Sequence, residues 1–102
     1  MISVYLQATP CGRLFFSSQG HARAEPDEAR RICAAASMLS QTLAAALEQE
    51  GQALWLHKES GCLALLARGG QEAKACFRTI EAGYALLEGA CPENVQINAA
   101  YA

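Results

Sequence analysis

The sequence has no Cys-x-x-Cys pair, although it holds five cysteines: Cys11, Cys33, Cys62, Cys76 and Cys91. That spacing argues against a zinc ribbon and against a thioredoxin-like redox motif. No apolar run approaches the ~20 residues that a membrane span needs. The stretch Met1 to Leu6 lacks a basic region followed by an apolar core, so no secretory signal is expected. Neither charge is in large excess. Eight basic residues stand against ten acidic ones, for a formal net charge of −2. A protein that holds nucleic acid by bulk charge needs a strongly basic surface, and this composition does not supply one. Low-complexity tracts and internal sequence repeats are missing too, although a β-β-α order recurs once. The odd cysteine count leaves at least one thiol unpaired within the chain. Together these absences point to a reducing, cytoplasmic setting in which the cysteines remain thiols.

What is present is an ordinary globular composition. The 102 residues are 52% apolar, enough for one core in a single domain, 1–102, without support from metal or disulfides. Residues 2 to 7 alternate, with Ile2, Val4 and Leu6 on one side, as in a half-buried strand. Pro10-Cys11-Gly12 signals a turn into a second strand, Arg13 to Ser17, making a hairpin. Ser18 to Glu28 is polar and contains Gly and Pro, and reads as a mobile loop. Asp27 and Glu28 suit the first turn of a helix. Ile32, Ala36, Leu39, Leu43 and Leu47 then form one apolar stripe on a helix ending near Gly51. A second hairpin follows, Ala53 to His57 and Cys62 to Ala67, closed by Lys58-Glu59-Ser60-Gly61. Gln71 to Glu88 reads as a second helix with Ala73, Phe77, Ile80, Tyr84 and Leu87 inward and Gly89 at its C-terminal cap. Val95, Ile97, Ala99 and Tyr101 alternate in a last strand. The order β-β-α-β-β-α-β implies an α+β fold, a mixed β-sheet with two helices packed on one face.

Two short segments carry candidate chemistry: Gly20-His21-Ala22, just past a strand end, and Ile32-Cys33-Ala34-Ala35-Ala36-Ser37, in the first turns of the following helix. A thiol near a helix N-terminus feels the positive end of the helix dipole, which stabilises its thiolate. An imidazole nearby can take the thiol proton and later deliver it to a leaving amine. Free backbone N–H groups at a helix start can receive an oxyanion. The bland readings compete. A cysteine on an alanine-rich helix also fits a small buried apolar residue, and a histidine beside glycine also fits a strand end. Asp27 or Glu28 would orient His21 in a triad, but N-terminal capping explains them equally. Ser37, one turn after Cys33, either faces the same pocket or bonds back to its own helix. His57, Cys11, Cys62, Cys76 and Cys91 read as bystanders, and Trp55 as a packing residue.

The two segments, the twelve positions between His21 and Cys33, and the order of elements resemble the ribosomal-processing cysteine proteases, the Prp family. That family pairs a Gly-His-Ala segment with a Cys-Ala-x-x-Ser segment opening the first long helix. Gly20, His21 and Ala22 match the first, and Cys33, Ala34 and Ser37 the second. The resemblance implies a Cys–His dyad, His21 with Cys33, supported by Gly20, Ala34 and Ser37. It implies removal of the N-terminal extension of a large-subunit ribosomal protein (number twenty-seven) and a homodimer. It implies no metal or organic cofactor, no direct nucleic-acid contact and no membrane. Where the family usually carries Gly-x-Asp-Ile-Val-Cys, this chain has Glu28 and Arg30, followed by Arg31 and Ile32. Reversing the charge three residues before the cysteine, and losing the glycine, bears on cleavage specificity. It also leaves room for a binding module that recognises a ribosomal protein or an assembly intermediate without cutting it.

Overall fold

In the computed structural model, which describes residues 1–100, five strands form one sheet in the order β3-β4-β2-β1-β5. The elements follow the chain as β1 (Ile2–Ala8), β2 (Leu14–Gln19), α1 (Pro26–Gln49), β3 (Ala53–Glu59), β4 (Cys62–Ala67), α2 (Gln71–Ala90) and β5 (Val95–Ala100). Neighbouring strands are antiparallel except β1 and β5, which run parallel, so the sheet is mixed. The alternating residues of β1 do what their period requires. Ile2, Val4 and Leu6 are buried, while Tyr5 and Gln7 remain exposed. Register extends that face across the sheet. Leu6 opposes Phe16, Phe16 opposes Leu65, and Leu65 opposes Leu56. Both helices cover this face, and Phe16 meets Phe77 edge-on at 6.5 Å and Tyr84 at 6.0 Å between ring centroids. Tyr101, expected to face inward at the end of β5, lies outside the described residues.

Pro26 opens α1, where its missing N–H breaks no helical bond, and Asp27 and Glu28 occupy the first turn. The far end is closed by Gly51, at φ +66°, and by the N–H of Gln52 donating back to the Leu47 carbonyl at 2.8 Å, a glycine-terminated cap. Ile32, Ala36, Leu43 and Leu47 are buried as their spacing predicts, but the central inward position belongs to Ser40. Leu39 is instead half-buried against the second helix, where glycine at position 83 lets the two helices approach closely. The other helix also differs from expectation at its end. It runs through Gly89 to Ala90, and Cys91 takes the cap, its N–H donating to Leu87. Strand β2 runs two residues beyond Ser17, because Ser18 and Gln19 pair with β1 and β4 although their polarity suggests loop. Among the described residues no helix is long and apolar enough to cross a membrane.

Candidate active site

The ends of β2 and β4, the start of β1 and one face of α1 enclose a cleft of about 190 Å³. Gly20, His21, Cys33 and Ser37 all line it. Ala34, the remaining candidate, is exposed on α1 and is not part of the wall. The opposite rim comes from Lys58 and Glu59 at the end of β3 and from Gly61 in the β3–β4 turn, with Gln41 of α1 across from it.

His21 is placed by glycines and backbone bonds rather than by a carboxylate. Gly20 has φ +105°, and a Cβ there would collide with the Met1 carbonyl oxygen. Its N–H donates to the Gly61 carbonyl at 2.8 Å. The segment expected to be a loose loop is held at each following residue. The His21 carbonyl accepts the Met1 ammonium at 2.7 Å, the Ala22 N–H donates to Cys33 Sγ at 3.4 Å, and the Arg23 N–H donates to Asn94 Oδ1 at 2.6 Å. The imidazole rests on Gly61. At φ +72°, a Cβ on Gly61 would stand 2.7 Å from His21 Cε1 and closer still to Nε2. Neither Asp27 nor Glu28 bonds to the His21 ring among the described residues. Asp27 instead faces Arg30 at 3.6 Å, both side chains about four-fifths exposed. Arg30 therefore points to solvent and is not part of the cleft wall.

Cys33 is the eighth residue of α1, half-buried against the core. It lies roughly 10 Å along the axis from the helix start. Dipole effects fade within the first turn, and at this depth the residue's own N–H is engaged in the helix. The helix terminus therefore does not supply the donor that the sequence suggested. The donor nearest the sulfur is the Ala22 N–H, one residue after the histidine. No hydrogen bond joins the His21 ring to Cys33 Sγ among the described residues. Ser37 Oγ accepts the Gln41 side-chain amide at 2.9 Å, which leaves its hydroxyl proton free to be donated.

The floor of the cleft was not legible in the sequence. Ser18 and Ser40 are buried there beside the phenol of Tyr84, which donates to the Ala36 carbonyl at 2.7 Å, while the Ser40 hydroxyl donates to the Ser37 carbonyl at 3.0 Å. Burial pushes the Tyr84 phenol up from its ordinary value, against the pull of the two serine hydroxyls.

The other candidates fall elsewhere. His57 stacks on Trp55 at 6.2 Å and sits 3.5 Å from Glu59, half-exposed on the sheet face away from the helices. Cys62 borders the cleft, but as the register partner of Gln19 it belongs to the strand positions that alternate away from α1. Cys11 is exposed in the β1–β2 turn, 3.2 Å from Thr9 Oγ1. The Thr9 hydroxyl, and then the Arg13 backbone, hold its thiol below the usual value. All five cysteines are free. Among the described residues no group of three or more His, Cys, Asp and Glu side chains is placed to hold a metal ion.

No protein-family model and no curated protein matches the sequence. Solved structures do match the fold. A ribosomal processing protease Prp from S. aureus, in complex with a covalently linked product peptide, superposes with a TM-score of 0.79 at 20% identity, over 97% of this chain and 99% of that one. The S. aureus Prp in complex with a substrate peptide gives 0.80 at 18% identity, over 97% and 99%. SMU.848 from Streptococcus mutans gives 0.75 at 22% identity, over 99% and 96%. The likeness at these identities is one of fold, and it spans both chains almost completely.

Proposed function

We propose that this chain is a cysteine endopeptidase that removes the N-terminal extension of a large-subunit ribosomal protein, with Cys33 as nucleophile and His21 as general base. One observation carries the reading: His21 and Cys33, brought from a strand end and a helix, line a single cleft. The fold that does this matches, nearly end to end, a ribosomal processing protease described with substrate and product peptides. On this reading the Cys33 thiol gives its proton to His21, and the sulfur attacks the scissile carbonyl. The tetrahedral oxyanion forms beside the Ala22 N–H and the Ser37 hydroxyl, both at the nucleophile. The imidazolium then protonates the leaving amine as the C–N bond breaks, leaving a thioester. Water, its proton taken by His21, hydrolyses the thioester and restores the thiol. Gly20 serves by its backbone, since only glycine tolerates its φ against Met1.

The test is cleavage of a peptide spanning such an extension, by wild type, Cys33→Ala and His21→Ala. Cleavage by wild type and loss in both variants is the expected result. Undiminished cleavage by Cys33→Ala removes the nucleophile assignment. The missing bond between His21 and Cys33 favours the second reading, a module that binds the same peptide without cutting. Binding by wild type with no cleavage, and a Cys33 thiol no faster than free cysteine towards iodoacetamide, would establish that reading instead.

The same proposal includes a cytoplasmic homodimer. The sheet face away from the helices is left uncovered, with Tyr5 and Trp55 exposed on it, and β3 and β5 are open edges. Sedimentation of only a monomer at micromolar concentration would remove the dimer.

A further inference from the structure

We infer that Tyr84 is a positioning residue for the reaction, its side chain tying the strand that leads into His21 to the helix that carries Cys33. The inference rests on the peptidase reading. Ser18 lies three residues before His21 on β2, and Ala36 three residues after Cys33 on α1. One side chain from a third element, α2, touches both: its ring packs 6.0 Å from that of Phe16 on β2, and its hydroxyl bonds α1. Tyr84 is fully buried and donates to the Ala36 carbonyl at 2.7 Å, with the Ser18 and Ser40 hydroxyls beside its phenol, that of Ser40 donating to the Ser37 carbonyl at 3.0 Å. A phenol in that place is costly unless each polar atom is satisfied, and no buried side-chain N or O atom is left without a partner among the described residues.

Geometry around the phenol supports a role beyond packing. Ser18, Ala36 and Ser40 are themselves part of the cleft wall, so the network forms its floor. The two helices approach closely beside it. A Cβ at Gly83 would meet Leu39 Cδ2 at 2.6 Å. The raised phenol keeps its proton through neutral pH and remains a donor to α1. Deleting the hydroxyl frees α1 to slide or tilt against β2, and the sulfur-to-imidazole separation is the coordinate that such a motion changes. The other ionisable groups that line the cleft are Lys58 and Glu59 at the end of β3 and Cys62 at the start of β4.

The experiment compares wild type with Tyr84→Phe and with Ser18→Ala, which removes a hydroxyl but almost no volume. Peptide cleavage and the pH dependence of Cys33 alkylation are both measured on protein verified as folded. The expected result is a kcat lowered about tenfold in Tyr84→Phe with KM held within about twofold, the pattern of misplaced catalytic groups. The alkylation curve shifts upward by about half a pH unit, because a more distant imidazole stabilises the thiolate less. Ser18→Ala moves both readouts in the same direction by a smaller amount. A lowered melting temperature with wild-type kcat and an unmoved alkylation curve, in both variants, would overturn the inference and leave Tyr84 a packing residue. If Tyr84→Phe does not fold, Ser18→Ala alone decides on the same readouts. If wild type neither cleaves the peptide nor alkylates at Cys33 faster than free cysteine, the peptidase reading falls first and the inference with it.

Discussion

Replacing Gly61 by alanine separates the cost of a backbone conformation from the cost of moving the His21 ring. Gly61 has φ +72°, a region that penalises any Cβ by about 1–2 kcal/mol. The new methyl would also stand within the van der Waals envelope of the His21 imidazole. Gly12 supplies the control. It has nearly the same φ, +82°, also sits in a turn, and has nothing within 4 Å of where its Cβ would be. Urea unfolding should therefore show Gly12→Ala and Gly61→Ala each less stable by about 1–2 kcal/mol. Activity should divide them. On the peptidase reading, Gly12→Ala should cleave peptide at the wild-type rate. In Gly61→Ala the ring must retreat by roughly an ångström, and a displacement of that size costs up to about 10²-fold in kcat. Proton NMR of the imidazole should shift in Gly61→Ala alone. Equal kcat in the two variants, with both folded, would refute the argument that the reaction depends on where Gly61 seats His21.

Alkaline stability should reveal Tyr84. In the unfolded chain its phenol ionises near pH 10, while in the native core it holds its proton to higher pH. The unfolded state thus binds fewer protons above about pH 10, and stability falls as pH rises from there until the native phenol also ionises. Tyr84→Phe should flatten that part of the denaturation profile. Phe77→Ala, at the edge of the Phe16 ring, should cost about 3–5 kcal/mol in chemical denaturation. Cys11 should label ahead of Cys62, Cys76 and Cys91 with iodoacetamide, as read by mass spectrometry, since it is exposed and its thiol is lowered by Thr9. Arg30→Asp should change stability by less than about 0.5 kcal/mol, because its partner Asp27 is as exposed as Arg30 itself.

The sequence was most legible where one side chain type repeats at one period. Ile2, Val4 and Leu6 announced β1, and Ala73, Phe77, Ile80 and Tyr84 announced α2, because burial on a single face leaves that trace. It was least legible where polar residues are buried. Ser18 read as loop and Ser40 carried no reading, yet both are interior beside a phenol sixty-six and forty-four positions away, the Ser40 hydroxyl bonding the Ser37 carbonyl of its own helix. Gly20, His21, Cys33 and Ser37 were picked out as chemistry and share one cleft, whereas Ala34 faces solvent. Asp27 and Glu28 marked the start of α1 correctly, but Cys33 is its eighth residue and lies about two turns from the free N–H groups expected to serve it. The Ala22 N–H and the seat on Gly61 left no trace in residue type, because both act through backbone geometry.

The parallel pairing of β1 with β5 has a consequence for how the molecule is made. The first strand cannot acquire its second neighbour until some ninety residues have followed it, and Asn94, which receives the Arg23 N–H and whose carbonyl receives that of Ile2, enters with that neighbour. Such a long closure is slow relative to hairpin formation. A nascent chain carries His21 and Cys33 well before it carries the clasp that holds the segment between them. On the proposed reading, competence for chemistry arrives with the last strand, late in synthesis and all at once.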